Sequence, residues 1–342
     1  MLTPERLACK RAPLRRLAWC SAGLVAAALL AWTEPAAAQR VIRVGQADTL
    51  TGQNLPELIA MANTEKRLGV KFNVMALKSD DVVFQAVINN EIDIGIGDAY
   101  KGIDTLKAPV RHFFLLRRVA YFPVVNSEFY KTWKDMNGAD MAVHARGSAT
   151  EAMALQMEKV NGVKFGQISF VPGSEVRIIA MRRGTMKATL LDLPNTRKLT
   201  EEDPKKFIVL PVESQSASDE IFYATTKFIG DNKELIQTLS EELLKSLRAV
   251  NADPKAPARL RAELGLLKDL PKPLADDITP YFEMAVPGGL FPTDGGGAAA
   301  AKADFDFLIA AGRFKGQNSD YKVEDFWDLA PLDAALAKVG KN

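Results

Sequence analysis

Apolar residues recur along most of the chain at two alternating spacings, which predicts strands that alternate with helices. Residues 41–45 and 70–76 have the short apolar runs of strands. Between them, residues 54–69 begin with a capping pattern and end on a glycine, as a helix does. Residues 92–97 then form a third short strand. This order is typical of an α/β domain with a mainly parallel sheet.

A second unit of the same kind follows a long apolar segment. Residues 112–125 are too long for one edge of a small sheet, so we expect them to cross from one lobe to another. Strands predicted at 141–143, 167–171 and 186–191 alternate with helices, and residues 221–228 are the expected return crossing. The expected N-caps of four helices are Ser79, Ser148, Ser174 and Asp231.

From residue 231 onward the pattern is helical, with apolar residues at three- and four-residue steps and several proline breaks. We therefore expect two α/β lobes joined by two crossover strands. Residues 39–122 would form the first part of lobe 1, residues 123–228 lobe 2, and residues 229–342 the remainder of lobe 1 with the C-terminal helices.

The chain opens with a basic segment that is followed by an uncharged one. Residues 17–33 carry no charge, and residues 36–38 are three alanines that suit cleavage by a signal peptidase. Because a spanning helix needs about 20 apolar residues, a cleaved export signal over residues 1–38 is favoured over a membrane anchor. Whether export uses the general or the twin-arginine route stays open.

The composition disfavours several classes of function. The chain has 44 Lys and Arg against 42 Asp and Glu, which leaves no positive surplus for nucleic acid. Both cysteines precede residue 38, and His112 and His144 are the two histidines. The sequence also lacks the G-x-S-x-G elbow of a serine hydrolase. We therefore expect no catalytic residue, no metal site and no cofactor.

Several short segments resemble, in the same order, segments of the substrate-binding proteins of ABC importers. The resemblance is to the branch that handles sulfonates, taurine, nitrate and thiamine precursors. Two positions depart from that family's pattern: Asn90 stands where glycine is usual and Lys187 where an acidic residue is usual. The similar segments are residues 41–51, 84–95, 133–138, 183–188, 304–313 and 325–328.

The resemblance implies a two-lobed, type II periplasmic-binding-protein fold in which a mainly parallel sheet flanked by helices forms each lobe. It implies a periplasmic, monomeric protein that binds a small solute, without catalysis, and delivers it to an ABC permease driven by an ATPase. Contact with the membrane would occur only through the permease. Two other roles stay open: a partner that presents ligand to a sensor, and an enzyme like the thiamine-pyrimidine synthases.

Four loops at the carboxyl ends of predicted strands form the candidate pocket, with the crossing strand as its floor. Arg146 and the helix start behind it are expected to hold an anion such as a sulfonate or carboxylate. For each of these loops a purely structural role stays open, in which the same residues stabilise a turn, cap a helix or pack in the core. His144 is expected to be satisfied by the backbone and Arg177 to be solvated. The candidate ligand-binding residues are Gln46, Asp48, Thr49, Asp98, Tyr100, Tyr121, Arg146, Gly147, Ser148, Ala149, Thr150, Asp192 and Leu193.

Overall fold

The computed structural model describes residues 39–212 and 216–341, and the expected export signal over residues 1–38 lies outside them. The described residues from Arg40 onward form one compact unit. They build two five-stranded sheets with helices packed around them. Among these residues, no helix combines the length and the apolar character that crossing a bilayer requires.

The first sheet has the strand order β2-β1-β3-β10-β4. Its strands β1 to β3 run parallel, and β10 is inserted antiparallel to both β3 and β4. The chain therefore returns to this sheet late, after it has built the second one. The strands are β1 (Val41–Gln46), β2 (Lys71–Ala76), β3 (Ile94–Gly97), β4 (Val110–Arg118) and β10 (Ser218–Thr225).

The second sheet repeats this plan with the order β7-β6-β8-β5-β9. Here β6 is parallel to β7 and β8, and β5 is the strand inserted antiparallel to β8 and β9. Each sheet thus receives one antiparallel strand from the crossing chain, which agrees with the expected connectivity. The strands are β5 (Tyr121–Asn126), β6 (Met141–Val143), β7 (Ile168–Phe170), β8 (Ala188–Asp192) and β9 (Phe207–Val209).

The long apolar segment predicted at residues 112–125 crosses between the sheets, as expected. It divides into β4 and β5, with only Val119 and Ala120 between them. The predicted return crossing at residues 221–228 is wrong, because β10 is already paired in the first sheet from Ser218 onward. An apolar β-rich run identifies a strand, but the sheet in which it pairs depends on residues far away in sequence.

Helices cover the outer faces of both sheets, and the longest, α8, packs against α1 and α13. The helices are α1 (Leu55–Leu68), α2 (Asp80–Ile88), α3 (Tyr100–Leu106), α4 (Ala149–Asn161), α5 (Ser174–Arg182), α6 (Leu193–Glu202), α7 (Thr226–Asp231), α8 (Lys233–Ala252), α9 (Ala256–Leu264), α10 (Lys272–Asp276), α11 (Ile278–Ala285), α12 (Gly297–Ala310) and α13 (Ala330–Val339).

Two of the four predicted N-caps are confirmed. The hydroxyls of Ser79 and Ser148 accept hydrogen bonds from backbone N–H groups in the first turns of α2 and α4. Ser174 is instead the first residue of α5, and its hydroxyl accepts a hydrogen bond from a side chain, that of Arg177. Asp231 ends α7, and Asn232 separates it from α8.

Helices α3 and α6 were not predicted from the sequence. The start of α6 reads as a turn because Pro194 follows Leu193, yet proline is well tolerated in the first turn of a helix. The carboxylate of Asp192 caps this helix by accepting from the Asn195 backbone N–H at 2.9 Å. The polar end of β8 is therefore a rigid helix start rather than a free loop.

A buried polar network lies within the apolar core that is continuous between the two sheets. The Asp304 carboxylate accepts hydrogen bonds from the Tyr100 hydroxyl at 2.7 Å, and from the Ser218 backbone N–H at 2.7 Å and hydroxyl at 2.8 Å. The indole N–H of Trp327 donates to the Tyr100 hydroxyl at 2.7 Å. Because these groups come from α3, α12, β10 and the C-terminal segment, the network fixes four distant parts of the chain together.

His112 is fully buried beside this network, and neither ring nitrogen has a hydrogen-bond partner among the described residues. Its ring lies 4.4 Å from that of Tyr100 and 5.6 Å from that of Trp327, measured between centroids. Burial lowers the pKa of His112 to about 3, with a smaller contribution from the charge of Arg111. His112 is therefore a neutral core residue.

We predict that His112→Phe reduces the loss of stability at acid pH. A histidine whose pKa is lower in the folded than in the unfolded chain stabilises fully above the unfolded pKa, near 6.5, and loses that contribution as the pH falls towards 3. Between pH 7 and pH 5 the variant should therefore gain about 2 kcal/mol in unfolding free energy relative to the wild type. Urea denaturation at both pH values measures this difference, and a difference that does not change with pH would contradict it.

Candidate functional site

A cleft of about 1740 Å³ opens where loops that follow strands of both sheets come together. One wall is the segment after β1, and the opposite wall includes residues after β6 and at the end of β8. Residues of the crossing strands β4, β5 and β10 form part of its lining. The cleft thus lies at the carboxyl ends of parallel strands, where open α/β sheets place their ligands.

A much smaller inner pocket, of about 20 Å³, lies where the two walls approach each other. Most of the predicted site residues line one of these two spaces. In the large cleft they are Gln46, Asp48, Thr49, Tyr121, Asp192 and Leu193. In the inner pocket they are Asp48, Asp98, Tyr121, Ser148, Ala149 and Thr150.

Tyr100 lies outside both spaces, in contrast to the expectation of ligand contact. It is only 2 % exposed, and its hydroxyl is fully engaged by Asp304 and Trp327. The sequence places Tyr100 just after a strand end, as a ligand-contacting residue would be. However, α3 begins at this residue and turns its ring into the core.

Arg146 and Gly147 also lie outside the cleft lining, so the expected anion contact is not supported by the geometry. Arg146 is exposed, and its guanidinium lies 4.8 Å from the ring centroid of Phe170. The Gly147 N–H donates to the Glu151 carboxylate at 2.6 Å, while Ser148 caps α4. The helix start therefore already carries a carboxylate that balances its dipole.

His144 joins the two walls of the cleft. Its Nδ1 accepts a hydrogen bond from the Gly173 N–H at 3.2 Å, which agrees with the expected backbone contact. A neutral imidazole that accepts at Nδ1 carries its proton on Nε2, and Nε2 lies 4.0 Å from Asp48 Oδ1 on the opposite wall. Burial lowers the pKa of His144, so the ring is neutral at pH 7.

The side chain of Arg177 is buried, and the expectation that it is solvated is wrong. Its guanidinium donates to the backbone oxygens of Val171 at 2.7 Å and Leu190 at 3.1 Å, and to the Ser174 hydroxyl at 2.8 Å. This side chain holds β8 and the segment after β7 together behind the cleft wall. A lone arginine in a helical pattern gives no sign of such a role.

Arg117 and Glu220 form an ion pair at the cleft, 3.3 Å apart, where β4 pairs with β10. The side chains are 12 % and 21 % exposed, so water screens the pair only weakly. Arg117 also donates to the Tyr281 hydroxyl and attracts the buried carboxylate of Glu57. The sequence does not predict this ion pair, because its two residues lie on strands about 100 residues apart in the chain.

Asp80 and Asp219 are the other residues that the sequence analysis missed. Asp80 reads as an ordinary helix-start charge, but its carboxylate accepts from the Asp98 backbone N–H. Gly97, with φ +140°, has no Cβ at the place that the Asp80 carboxylate occupies. Asp219 accepts a hydrogen bond from the Tyr121 hydroxyl at 3.4 Å. The fold thus brings both carboxylates to the inner pocket.

The carboxyl groups of Asp80 and Asp219 have raised pKa values. Burial, together with the charges of Asp98 and Asp219, raises the pKa of Asp80 well above its ordinary value. Burial is also the largest cause of the pKa of about 7 for Asp219, where the nearby Arg117 acts in the opposite direction. Both pKa shifts have the same physical origin, which is carboxylates that are crowded together away from water.

We predict that breaking the Arg117–Glu220 pair destabilises the protein. Arg117→Met leaves the carboxylate of Glu220 without its partner in a weakly hydrated place, which should cost about 3 kcal/mol of unfolding free energy at pH 8. The double variant with Glu220→Met should cost less than the sum of the two single changes.

The matched control is Arg259→Met, because Arg259 and its partner Asp253 are 58 % and 45 % exposed in their 3.2 Å pair. An exposed pair of this kind should contribute below about 1 kcal/mol. Urea denaturation of all four variants measures these differences. Equal losses for Arg117→Met and Arg259→Met would contradict the proposed importance of the cleft pair.

The sequence matches no family model and no curated protein. Solved structures do match. A protein from Bordetella bronchiseptica RB50 has a TM-score of 0.69 at 18 % identity and covers 88 % of this chain and 98 % of its own. The periplasmic nitrate-binding protein NrtA from Synechocystis PCC 6803 has a TM-score of 0.66 at 10 % identity, with 88 % and 89 % covered.

The third similar structure is a putative periplasmic sulfonate-binding protein, SsuA, from Methylobacillus flagellatus KT. Its TM-score is 0.61 at 18 % identity, and the match covers 88 % of this chain and 95 % of that one. At identities this low, the structural similarity shows that the fold is shared and nothing more. The two sheets, the two inserted antiparallel strands and the cleft between loops of both sheets are accordingly those of the periplasmic-binding-protein fold.

Proposed function

We propose that this protein is an extracytoplasmic solute-binding protein that captures a small organic solute and delivers it to an ABC permease. The observation that carries the proposal is the cleft itself, whose lining comes from loops of both sheets. Its volume of about 1740 Å³ exceeds the several hundred Å³ of typical small-molecule pockets. Additional support comes from similar structures that are named as sulfonate- and nitrate-binding proteins.

Capture would occur by closure of two lobes on the solute, with the sheets as the lobe cores. We place the lobe boundaries at the connections between the two sheets, so that the crossing segments act as hinges. The first lies between β4 and β5, close to the expected residue 122. The second lies between β9 and β10, earlier in the chain than the expected residue 228, because β10 pairs in the first sheet. Asp48 and His144, 4.0 Å apart on opposite walls, mark where closure brings the lobes together. A solute that touches both walls stabilises the closed state because it gains contacts there that the open state lacks.

Three hydrogen bonds already join the walls at one end of the cleft. The guanidinium of Arg313 lies 3.4 Å from the Asp98 carboxylate, donates to the Gly147 backbone oxygen at 2.8 Å, and reaches that of Ser148 at 3.5 Å. Asp98 follows β3 of the first sheet, whereas Gly147 and Ser148 follow β6 of the second. Arg313 would therefore bias the lobes towards closure before the solute arrives.

The proposed location is the periplasm, and the proposed partner is the permease of an import system. One similar structure is named as the ligand-binding component of an ABC-type import system, from Staphylococcus aureus. The expected export signal over residues 1–38 fits this location. The role we propose is binding rather than catalysis, in keeping with the binding proteins among its structural neighbours.

We predict that a matching solute both stabilises and compacts the mature protein. At 100 times its dissociation constant, a solute should add about 2.7 kcal/mol of stability. A thermal-shift screen over amines, sulfonates, carboxylates, nitrate and aminopyrimidines should find it, and small-angle scattering should then record a smaller radius of gyration.

Arg313→Gln provides the test of closure. This variant should bind the same solute more weakly, because the bias towards the closed state is lost, and it should be less compact without solute. The outcome that would contradict the proposal is a flat screen, including extracts of small molecules, together with unchanged scattering dimensions. In that case a role as a protein-binding partner would replace solute capture.

A further inference from the structure

We infer that the solute carries a primary ammonium group, which binds in the inner pocket between the carboxylates of Asp48, Asp80 and Asp219. This inference rests on the proposed function, since it names the chemical class of the solute held in the same cleft. It departs from the anionic solute that the sequence predicts.

The charges that line the inner pocket are negative. Five carboxylates line it, and among its described lining residues there is no lysine or arginine. Arg313 and Arg117 neutralise two of these carboxylates from outside, those of Asp98 at 3.4 Å and Glu220 at 3.3 Å. The other three belong to Asp48, Asp80 and Asp219. No lysine or arginine nitrogen of the described chain lies within 4 Å of them.

Three arginines that line the large cleft are engaged elsewhere, and its other cationic residues, Lys78, Arg197, Lys198 and Lys268, do not line the inner pocket. Arg117 is paired with Glu220, and Arg177 is fully buried and donates to two backbone oxygens and a hydroxyl. Arg118 directs its guanidinium to the Gly289 backbone oxygen at 3.4 Å. An anion in the inner pocket would therefore meet three carboxylates at close range, none of which has a lysine or arginine nitrogen within 4 Å among the described residues.

The size of the inner pocket selects the kind of cation. Its volume of about 20 Å³ is room for one group of the size of water. A primary ammonium has this size and carries three N–H donors, which match three carboxylate acceptors. A trimethylammonium group is too large and has no donor. The rest of the solute would lie in the large cleft, which the inner pocket adjoins through Asp48 and Tyr121.

A separate observation comes from Tyr223. It is fully buried, and its hydroxyl has no hydrogen-bond partner among the described residues. The Tyr223 hydroxyl lies against Gly95 and the Asp80 carboxylate against Gly97, so both lie next to strand β3, and Asp80 lines the inner pocket. A buried polar group without a partner is costly. An ammonium group bound beside Asp80 would bring an N–H donor towards this hydroxyl, whose oxygen can accept a hydrogen bond.

Raised pKa values at Asp80 and Asp219 allow the pocket carboxyl groups to lie close together, because a protonated carboxyl group carries no charge. The groups that face Asp80 are Asp48, Asp98, Asp219, Glu220 and Tyr223, with Asp81 beside it and Lys101 near Asp81. The groups that face Asp219 are Arg117, Tyr121, Asp48, Asp98 and Glu220. An incoming ammonium would displace these protons, so binding releases protons at neutral pH.

The experiment is a thermal-shift and calorimetric comparison of matched probes at constant ionic strength. The primary amines are methylammonium, putrescine and agmatine. Tetramethylammonium is the control without N–H donors, N,N′-diacetylputrescine the control without charge, and ethanesulfonate the anionic control. At least one primary amine should stabilise the protein, and none of the three control compounds should do so. Calorimetry at pH 7 in two buffers of different ionisation enthalpy should show proton release, which decreases as the pH rises above the pKa of Asp219, about 7.

Two pocket variants and one control locate the effect. Asp80→Asn and Asp219→Asn should each weaken amine binding by about tenfold or more, the effect of losing a charged hydrogen bond. Both variants should still fold, because each removes a carboxylate whose ionised form is disfavoured in the folded protein. The control is Asp306→Asn, an exposed change of the same charge on α12, outside the cleft lining, which should leave amine binding unchanged.

Several outcomes would overturn the inference. They are stabilisation by ethanesulfonate or another anion but by no amine, equal stabilisation by tetramethylammonium, stabilisation by Ca²⁺ alone, or no response to any amine. Loss of binding in Arg146→Ala with Asp219→Asn unaffected would also overturn it. If an anion binds and compacts the protein, solute capture stands and only the inferred ammonium fails. If no solute of any class binds, the proposed function itself fails.

Discussion

The ion pair between Arg117 and Glu220 is the interaction on which the cleft depends. It forms where the outgoing strand β4 and the returning strand β10 pair in the first sheet. The register of that pairing leaves Asp219 beside the Tyr121 hydroxyl, at the start of the strand that enters the second sheet. One contact between two crossing segments thus fixes the charged part of the cleft and the place where the chain changes sheets. Its partial burial makes the pair sensitive, because loss of either partner leaves a charge with little water around it.

Around this pair the cleft holds more negative charge than the arginines neutralise, and the fold tolerates the excess in two ways. Raised pKa values at Asp80 and Asp219 let protons replace counter-charges. Gly97, at φ +140°, admits the Asp80 carboxylate next to the backbone, where it accepts from the Asp98 N–H. An arrangement that only had to be stable would not collect carboxylates in this way, since apolar residues of similar size would pack without penalty. Perturbed carboxylates in a cleft are instead typical of functional sites.

The sequence predicts the scaffold well because the signals for it are local. Strand runs, the stop glycine after α1 and the caps Ser79 and Ser148 depend on a few neighbouring residues, and the structure confirms them. The loops that line the cleft follow from strand ends alone, which is why Asp48, Thr49 and Thr150 were predicted. Arg117, Asp219 and Glu220 were missed because they meet only through the pairing of strands about 100 residues apart. Arg146 shows a related limit: its charge is visible in the sequence, but its place outside the lining of both spaces is not.

The core behind the cleft explains why such a charged site remains ordered. The Asp304 carboxylate accepts hydrogen bonds from the Tyr100 hydroxyl and from both the backbone N–H and the hydroxyl of Ser218. Ser218 directly precedes Asp219, so these bonds fix the position of the chain at Asp219. On the same segment of chain as α12, Arg313 reaches back to Asp98 and to the loop of Gly147. The C-terminal helices therefore position carboxylates that they do not themselves contribute to the inner pocket. Asp98 both lines the inner pocket and pairs with Arg313, which also donates to the loop of Gly147. If the lobes close on a solute as we propose, a change in the charge of the pocket would therefore also alter the contacts that join the walls, and binding and closure would be coupled through Asp98.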